Sequence, residues 1–409
     1  MADGDSAGSA DSGVDAGATA DGPTTPDASL FDGAAIDASL PEEASLFDVG
    51  TTDAPSPDGS GPDATMADAG PADAKGPVDA GGGSDATTTA GNGPCDIYAS
   101  GGTSCVAAHS MVRALYHSYA GSLYQVRRAT DNATKDIGSL TTGGFAEAAT
   151  QDAFCAGTTC VVTIIYDQSG HGNDLAYQGT GGAGGEDTPA NATGESLTVS
   201  GNKVYSLYIN PGNSYWRNGS ASGVPTGSAP EGMYMVTSGT HVNSGCCFDY
   251  GNSETNRKVG GNGAMDAINF STNCWFPPCS GSGPWVQADL EDGLYQGGSA
   301  SSNSKNVAIS SKFVTAVLKN NGTSAFALKG GNAQSGGLST FYSGALPNGF
   351  SPMHKQGAIV LGSGGDCCAT NTNQSAGTFY EGALVVGYPS DSTDNSVQDN
   401  VIAAGYGSN

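Results

Sequence analysis

The 409-residue sequence predicts an all-β fold, a sandwich or barrel, behind a long unstructured arm. Three observations carry that expectation. Short β-rich segments recur through residues 95–409, Gly, Asn, Ser or Pro separates them, and helical spacing is confined to a few brief stretches.

Residues 1–94 have a different texture from the rest. They hold 18 Asp or Glu against one base, Lys75, so about −17 of the formal charge of −26 lies there. Their scattered apolar residues (Leu30, Phe31, Ile36, Leu46, Phe47) are too few to offset the entropy of ordering a backbone. This part is expected to be a disordered, self-repelling linker; the similar pieces DASLFDGAAIDASL and EEASLFDVG are repeat slippage in a low-complexity tract.

The elements of the second part follow in order. AAHSMVRALYHSY (107–119) has apolar residues near helical spacing and FAEAATQDAF (145–154) is Ala-rich; both predict short helices on a sheet. VVTIIYD (161–167), SLTVSGNKVYSLYI (196–209), GMYMVTS (232–238), WVQADL (285–290), FVTAVLK (313–319), SAFALKG (324–330), GAIVLGS (357–363) and YEGALVVGY (380–388) predict strands. SDSTDNSVQDNVIAAGY ends the chain as a helix capped by Ser390 or Ser392.

No stretch approaches the ~18 consecutive apolar residues of a membrane span. An acidic chain repels phosphate, which excludes nucleic acid as a partner and leaves a neutral, hydroxyl-rich one. All ten cysteines lie beyond residue 94, and their even number and local spacing, with no zinc-type cluster, favour disulfides in an oxidising compartment. Spacing points to Cys95–Cys105, Cys155–Cys160 and Cys274–Cys279 as short bridges. The start Met1-Ala2-Asp3-Gly4 has neither the basic nor the apolar region of a secretory signal. Export is therefore expected to be encoded upstream, for a domain secreted or tethered to an envelope by its acidic arm.

Chemistry concentrates in WVQADLEDGL (285–294), where Asp289, Glu291 and Asp292 cluster in a domain poor in charge. On an extended segment Asp289 and Glu291 share one face, while Leu290 and Asp292 take the other. Like charges this close raise the cost of ionising both, which points to function; the plain alternative is a solvated edge strand whose acids block aggregation. In IVLGSGGDCC, Asp366 leaves a strand after Gly364 and Gly365, which let backbone approach a ligand; an Asx turn is the alternative. One ionised and one protonated carboxyl make the minimal kit for glycoside hydrolysis, and Glu291 with Asp366 would supply it.

Cys246-Cys247 either bond each other, leaving a rigid sulfur ledge for a sugar face, or reach distant partners such as Cys367-Cys368. Asp167, His171 and Asp174 in YDQSGHGND could form a cation loop, but acids at such glycine turns usually bond their own backbone. The five histidines show no ligand spacing, and neither a metal nor a cofactor is expected. The sequons at Asn132, Asn191, Asn218, Asn269, Asn321 and Asn373 match a loose pattern.

CDIYASGGTSCVAAHSMVRALY, CAGTTCVVTIIYDQSGHGNDL, EGMYMVTSGTHVNSGCCFDYGNSETN, SGPWVQADLEDGLYQG, GGNAQSGGLSTFYSGA and GTFYEGALVVGYPSD together resemble the catalytic domain of the α-L-arabinofuranosidase B family, glycoside hydrolase family 54. The likeness runs from about Pro94 to Tyr406. It implies a concanavalin-like β-sandwich of jelly-roll type and exo-acting release of terminal α-L-arabinofuranose, with retention, from arabinoxylan and arabinan side chains of plant cell walls. A monomer is expected. Position by position, the resemblance implies Glu291 as nucleophile, Asp366 as acid/base and Asp289 as a sugar-hydroxyl ligand. Asp292, Gly293, Gly365 and Trp275 would line the sugar. It also implies a vicinal Cys246–Cys247 bridge and supports the 95–105 and 155–160 pairings.

The chain departs from the family pattern in places. Asp292 stands where relatives commonly carry Asn, CWFPPC (274–279) is one residue out of step with two extra cysteines, and Cys367-Cys368 is an addition. The arabinose-binding β-trefoil that follows the catalytic domain in fungal relatives is expected to be missing, and weaker avidity for polymer with it, unless another module joins through the arm. A non-catalytic carbohydrate-binding domain and a β-D-xylosidase are the rival readings.

Overall fold

The computed structural model describes residues 91–177, 187–274, 280–298, 303–363 and 374–408, all within the unit Gly83–Asn409. In chain order its elements are α1 (Pro94–Ser100), β1 (Cys105–Ser110), β2 (Ser122–Arg128), β3 (Thr134–Gly138), α2 (Ala148–Phe154), β4 (Cys160–Ile165) and β5 (Leu175–Tyr177). Then come β6 (Ser196–Val199), β7 (Asn202–Tyr205), β8 (Leu207–Ile209), β9 (Ser214–Asn218), β10 (Glu231–Thr237), β11 (Phe248–Ser253), β12 (Asp266–Ser271), β13 (Trp285–Asp289) and β14 (Leu294–Tyr295). The last are β15 (Val314–Asn320), β16 (Phe326–Asn332), β17 (Ser339–Gly344), β18 (Ala358–Ser363), β19 (Gly377–Val386) and α3 (Asp391–Ala403).

Two antiparallel sheets make a sandwich. One runs β1-β19-β10-β15-β16-β17 with β8 beside β19, the other β14-β13-β12-β11-β18-β9-β5-β4-β2-β3, and β6-β7 forms a separate hairpin. Strand alternation builds the core: Phe248, Tyr250, Ile268, Phe270, Val286, Ala288, Ile359 and Leu361 all face the smaller sheet and are buried. At every alternate position the same strands present the opposite face, where Asp249, Asn269, Gln287 and Asp289 lie. The all-β expectation holds, and the eight β-rich segments named from sequence all carry strands.

One helix expectation fails. Residues 107–119 begin as β1, pairing with β19, and continue as loop. The reason is burial on all sides: Ala107, Ala108, His109 and Ser110 are fully enclosed, His109 bonding Tyr250 Oη (3.0 Å) and the Asn173 carbonyl (2.8 Å). A short run buried on every side carries no period that separates helix from strand. Past it, Ser110 Oγ accepts from the Arg113 amide, and the Arg113 guanidinium forks onto Glu381 at 2.6 and 2.7 Å. Helix α3 starts as expected, with Ser390 Oγ accepting from the Thr393 amide.

The cystines Cys95–Cys105, Cys155–Cys160 and Cys246–Cys247 are formed. Cys274 is disulfide-bonded as well; Cys279, its expected partner, lies outside the described residues, as do Cys367 and Cys368. In the suggested cation loop, Asp167 Oδ1 accepts from the Ala108 and Ser169 amides and Oδ2 from the Asn173 amide, so backbone occupies this carboxylate. The sequon residue Asn269 is fully buried within β12. Among the described residues no helix is long and apolar enough to cross a membrane.

Candidate active site

The site is built where the outer face of the larger sheet meets the turn between β13 and β14. Asp289 pairs with Leu294 across that hairpin, leaving Leu290 to Gly293 as its loop. Leu290 turns inward and is fully buried in the core, and its carbonyl accepts from the Gly263 amide at 2.8 Å. The next two residues, Glu291 (φ 62°) and Asp292 (φ 54°), both sit in the left-handed region. Neither is glycine, and such a conformation costs roughly 1–2 kcal/mol per residue. Consecutive residues held this way mark a place where the surrounding fold over-determines the backbone.

Extended alternation therefore ends at Asp289, and the expectation that it would continue through Asp292 is corrected. Glu291 instead folds back, its amide donating to Asp289 Oδ1 at 3.1 Å. Both carboxylate residues are nearly enclosed, Asp289 at 8% and Glu291 at 9% exposure, whereas Asp292 is exposed and Gly293 intermediate. Those values exclude a solvated edge strand. β13 is also an inner strand, and Trp285 at its start is buried with its indole nitrogen donating to the Ser280 carbonyl at 2.8 Å.

Beside this corner stands the vicinal cystine. Cys247 Sγ and carboxylate oxygens of Asp249 and Asp289 lie within 4.8 Å of one another, and all three residues are buried. A sulfur tied in a disulfide is not a thiolate, so the trio lacks a soft metal ligand and suits a hydroxyl-bearing ligand better. Asp249 accepts from Asn269 Nδ2 at 2.7 Å, and Gln287 Nε2 reaches Ser271 Oγ at 3.2 Å, forming a polar row across β11, β12 and β13. The negative field of the hairpin is felt by Tyr295, whose phenol is raised by burial first and by Asp292 and Asp289 second.

Asp366, Gly365 and Trp275 lie outside the described residues. The structure does describe what flanks them. The last described residue of β18, Ser363, pairs with Phe248, the residue that follows Cys247. Of the residues named from sequence, the fold brings Asp289, Glu291 and Cys247 together, with Asp292 and Gly293 on the same turn.

Two polar residues of this region were missed from sequence. Asp249 belongs to FDYGNS, whose Phe-Asp-Tyr alternation is the period of a half-buried strand and was the available signal. Asn243 lies in a Gly/Ser-rich loop where sequence offers no signal at all.

Comparison with known proteins bears on these features together. The description "Alpha-L-arabinofuranosidase B, catalytic" matches residues 94–407. The "Probable alpha-L-arabinofuranosidase B" of Aspergillus fumigatus is 56% identical over 321 residues, 77% of this chain and 62% of the relative. The "Arabinofuranosidase/B-xylosidase" of Trichoderma koningii is 54% identical, covering 77% of this chain and 63% of the relative. A solved arabinofuranosidase complexed with arabinofuranosyl-alpha-1,2-xylobiose superposes with a TM-score of 0.73 at 47% identity, covering 78% of this chain and 66% of its own. The chain thus spans a little over three-fifths of the length of the curated relatives it matches. With the family match extending from α1 past the end of α3, this chain belongs to the α-L-arabinofuranosidase B family, glycoside hydrolase family 54.

Proposed function

We propose that this chain is a retaining, exo-acting α-L-arabinofuranosidase that removes terminal α-L-arabinofuranosyl residues from arabinoxylan and arabinan side chains. The observation that carries the reading is the Asp289–Asp292 corner: Glu291 is nearly enclosed on strained backbone with its amide on the Asp289 carboxylate, which itself lies beside Asp249 and the cystine sulfur. Strain of this kind is retained where a group must be aimed. The solved relative's arabinofuranosyl-xylobiose ligand supports an arabinose branch on a xylan backbone as substrate.

In this mechanism the Glu291 carboxylate attacks the anomeric carbon while the Asp366 carboxyl gives its proton to the departing glycosidic oxygen. The arabinosyl-enzyme ester then opens to water, whose proton returns to Asp366 as Glu291 leaves as carboxylate. Two inversions at one carbon give retention, which calls for carboxyls about 5–5.5 Å apart. Asp289 would bind a sugar hydroxyl and Cys246–Cys247 would pack against the ring, with Asp292, Gly293, Gly365 and Trp275 completing the pocket. An extracellular or envelope-tethered location fits the cystines.

The test is a proton NMR time course on nitrophenyl α-L-arabinofuranoside. Initial appearance of the α-anomer supports the proposal, and the β-anomer overturns the assignment of Glu291 as nucleophile. The name of the Trichoderma koningii relative favours one second reading, a β-D-xylosidase activity at the same site. Rates on paired nitrophenyl arabinofuranoside and xylopyranoside separate the two, with the furanoside expected to be faster.

A further inference from the structure

The outer face of the larger sheet carries a second feature in line with the acidic corner. Cross-strand pairing sets Asp289 opposite Ala267, Ala267 opposite Gly251, Gly251 opposite Val360 and Val360 opposite Trp216. These residues make one row across β13, β12, β11, β18 and β9. Ile359, Leu361 and Tyr215, which alternate with Val360 and Trp216, belong to the main core. The row therefore lies on the other face, the one that holds Asp289. Strand spacings of ~4.8 Å put Trp216 roughly 19 Å from Asp289 along the row, about the span of four linked pyranose rings. Between its two ends the row holds only valine, glycine and alanine, so none of its own side chains stands up between Trp216 and Asp289.

Val360 and Ala267 join Met265 in a small apolar cluster separate from the main core, and the Trp216 indole packs on it. Two contacts fix the ring: its nitrogen donates to the Glu254 carbonyl at 3.2 Å, and the Arg257 guanidinium lies 5.4 Å from the ring centre. Of the two described tryptophans, Trp285 is buried, whereas Trp216 keeps solvent-exposed surface. Cover for three small apolar side chains does not require an indole, since leucine would supply it. A flat ring held at a fixed tilt, in register with the acidic corner, offers more than cover.

We propose that Trp216 is a distal platform for the main chain of the polysaccharide: a pyranose ring of the xylan backbone stacks on the indole while the arabinosyl branch occupies the Asp289–Glu291 corner. This inference rests on the reading of that corner as the arabinofuranoside site, and it commits the outer face to a ligand several sugars long. The equatorial hydroxyls of a xylose ring leave a face lined by C–H groups, which suits an aromatic surface, and the Arg257 guanidinium sets N–H donors beside the same spot. Stacking asks for no charge on the ligand, in keeping with a neutral, hydroxyl-rich polymer.

The test compares a polymer with a small glycoside in the full chain. On soluble arabinoxylan, Trp216→Ala and Trp216→Leu are expected to raise KM about 5- to 10-fold with kcat near wild type, the scale of one lost aromatic contact and the pattern of lost uniform binding. On nitrophenyl α-L-arabinofuranoside, which is too short to reach Trp216, both should stay within about 2-fold of wild type. Leucine still covers Met265, Ala267 and Val360, so that variant carries the reading if the alanine variant does not fold. Trp216→Phe keeps a flat ring and should recover most of the polymer KM. An unchanged KM on arabinoxylan in Trp216→Leu, or equal losses on both substrates, would overturn the inference and leave Trp216 a cover for the cluster. A wild-type chain inactive on the nitrophenyl glycoside would overturn the proposed function itself, and this inference with it.

Discussion

Strands β11, β12 and β13 hold acidic side chains on both of their faces, and the two sets are treated in opposite ways. On the inner face Asp266 lies fully buried with Glu231 of the opposing sheet, and Lys355 is placed 3.2 Å from Glu231 and 3.9 Å from Asp266. Asn252 donates to Glu231 at 3.0 Å and Asn320 to Asp266 at 3.2 Å. Burial, against the pull of Lys355 and with the push of Asp266, raises the Glu231 carboxyl well above its ordinary value. On the outer face Asp249, Asp289 and Glu291 meet a neutral amide, a backbone N–H and a disulfide sulfur, with the backbone bent into a costly conformation to bring them there. The inner set is held by one lysine and two amides between the sheets; the outer set gathers at a nearly enclosed corner beside the cystine. Buried acidity alone does not single out a functional site; acids gathered beside strained backbone are the stronger candidates.

Substitutions on the two faces should accordingly part ways. The largest expected effect is at Glu291: Glu291→Gly should lower kcat by about 10⁴-fold or more, the scale for losing a reacting group. The same change should raise stability by about 0.5–1 kcal/mol, because glycine adopts the φ of this position without steric cost. Denaturant melts beside nitrophenyl arabinofuranoside kinetics measure both; a loss of stability with activity retained would erase the distinction between the faces.

On the inner face Lys355→Met should have the reverse signature. Removing the cation leaves buried carboxyls uncompensated and should cost about 3–5 kcal/mol in urea unfolding while kcat per folded molecule stays near wild type. A smaller effect, seen only against pH, belongs to Glu231. The unfolded chain releases this proton near 4.5, while the folded chain holds it to a higher pH. Its contribution to stability is therefore complete below that value and is lost as pH rises, by up to about 1.4 kcal/mol per pH unit between the two pKa values. Glu231→Gln should remove that slope, so the melting temperature of the variant should gain on wild type from pH 5 to pH 8. A constant difference would show that Glu231 ionises normally in the fold.

The two faces were also unequally legible. Inner-face strands announce themselves where apolar residues run together, as in β10, β15 and β19. Residues 107–119 misled because β1 is enclosed on every side and its spacing imitates a helix. β11 and β12 were overlooked for the opposite reason: Asp249, Asn252, Asn269 and Ser271 give them the composition of loops, although their alternate residues build the core. Glu291 stood out from sequence as an acid in a charge-poor domain. Its left-handed backbone could not be foreseen, since neither Glu nor Asp is a residue that favours it. Asn243 was invisible because its hydrogen bonds reach loops distant in sequence.

The central claim is that Glu291 and Asp366 act on one arabinofuranose from its two sides. It is tested most directly by treating an Asp366→Ala chain with nitrophenyl α-L-arabinofuranoside, quenching in acid and mapping the trapped sugar by peptide mass spectrometry. An active first step with no base to complete the second should leave one arabinosyl unit esterified to Glu291, dischargeable by azide as the α-arabinosyl azide. Attachment to another residue, or full turnover by the Asp366→Ala chain with no trapped ester, would contradict the account.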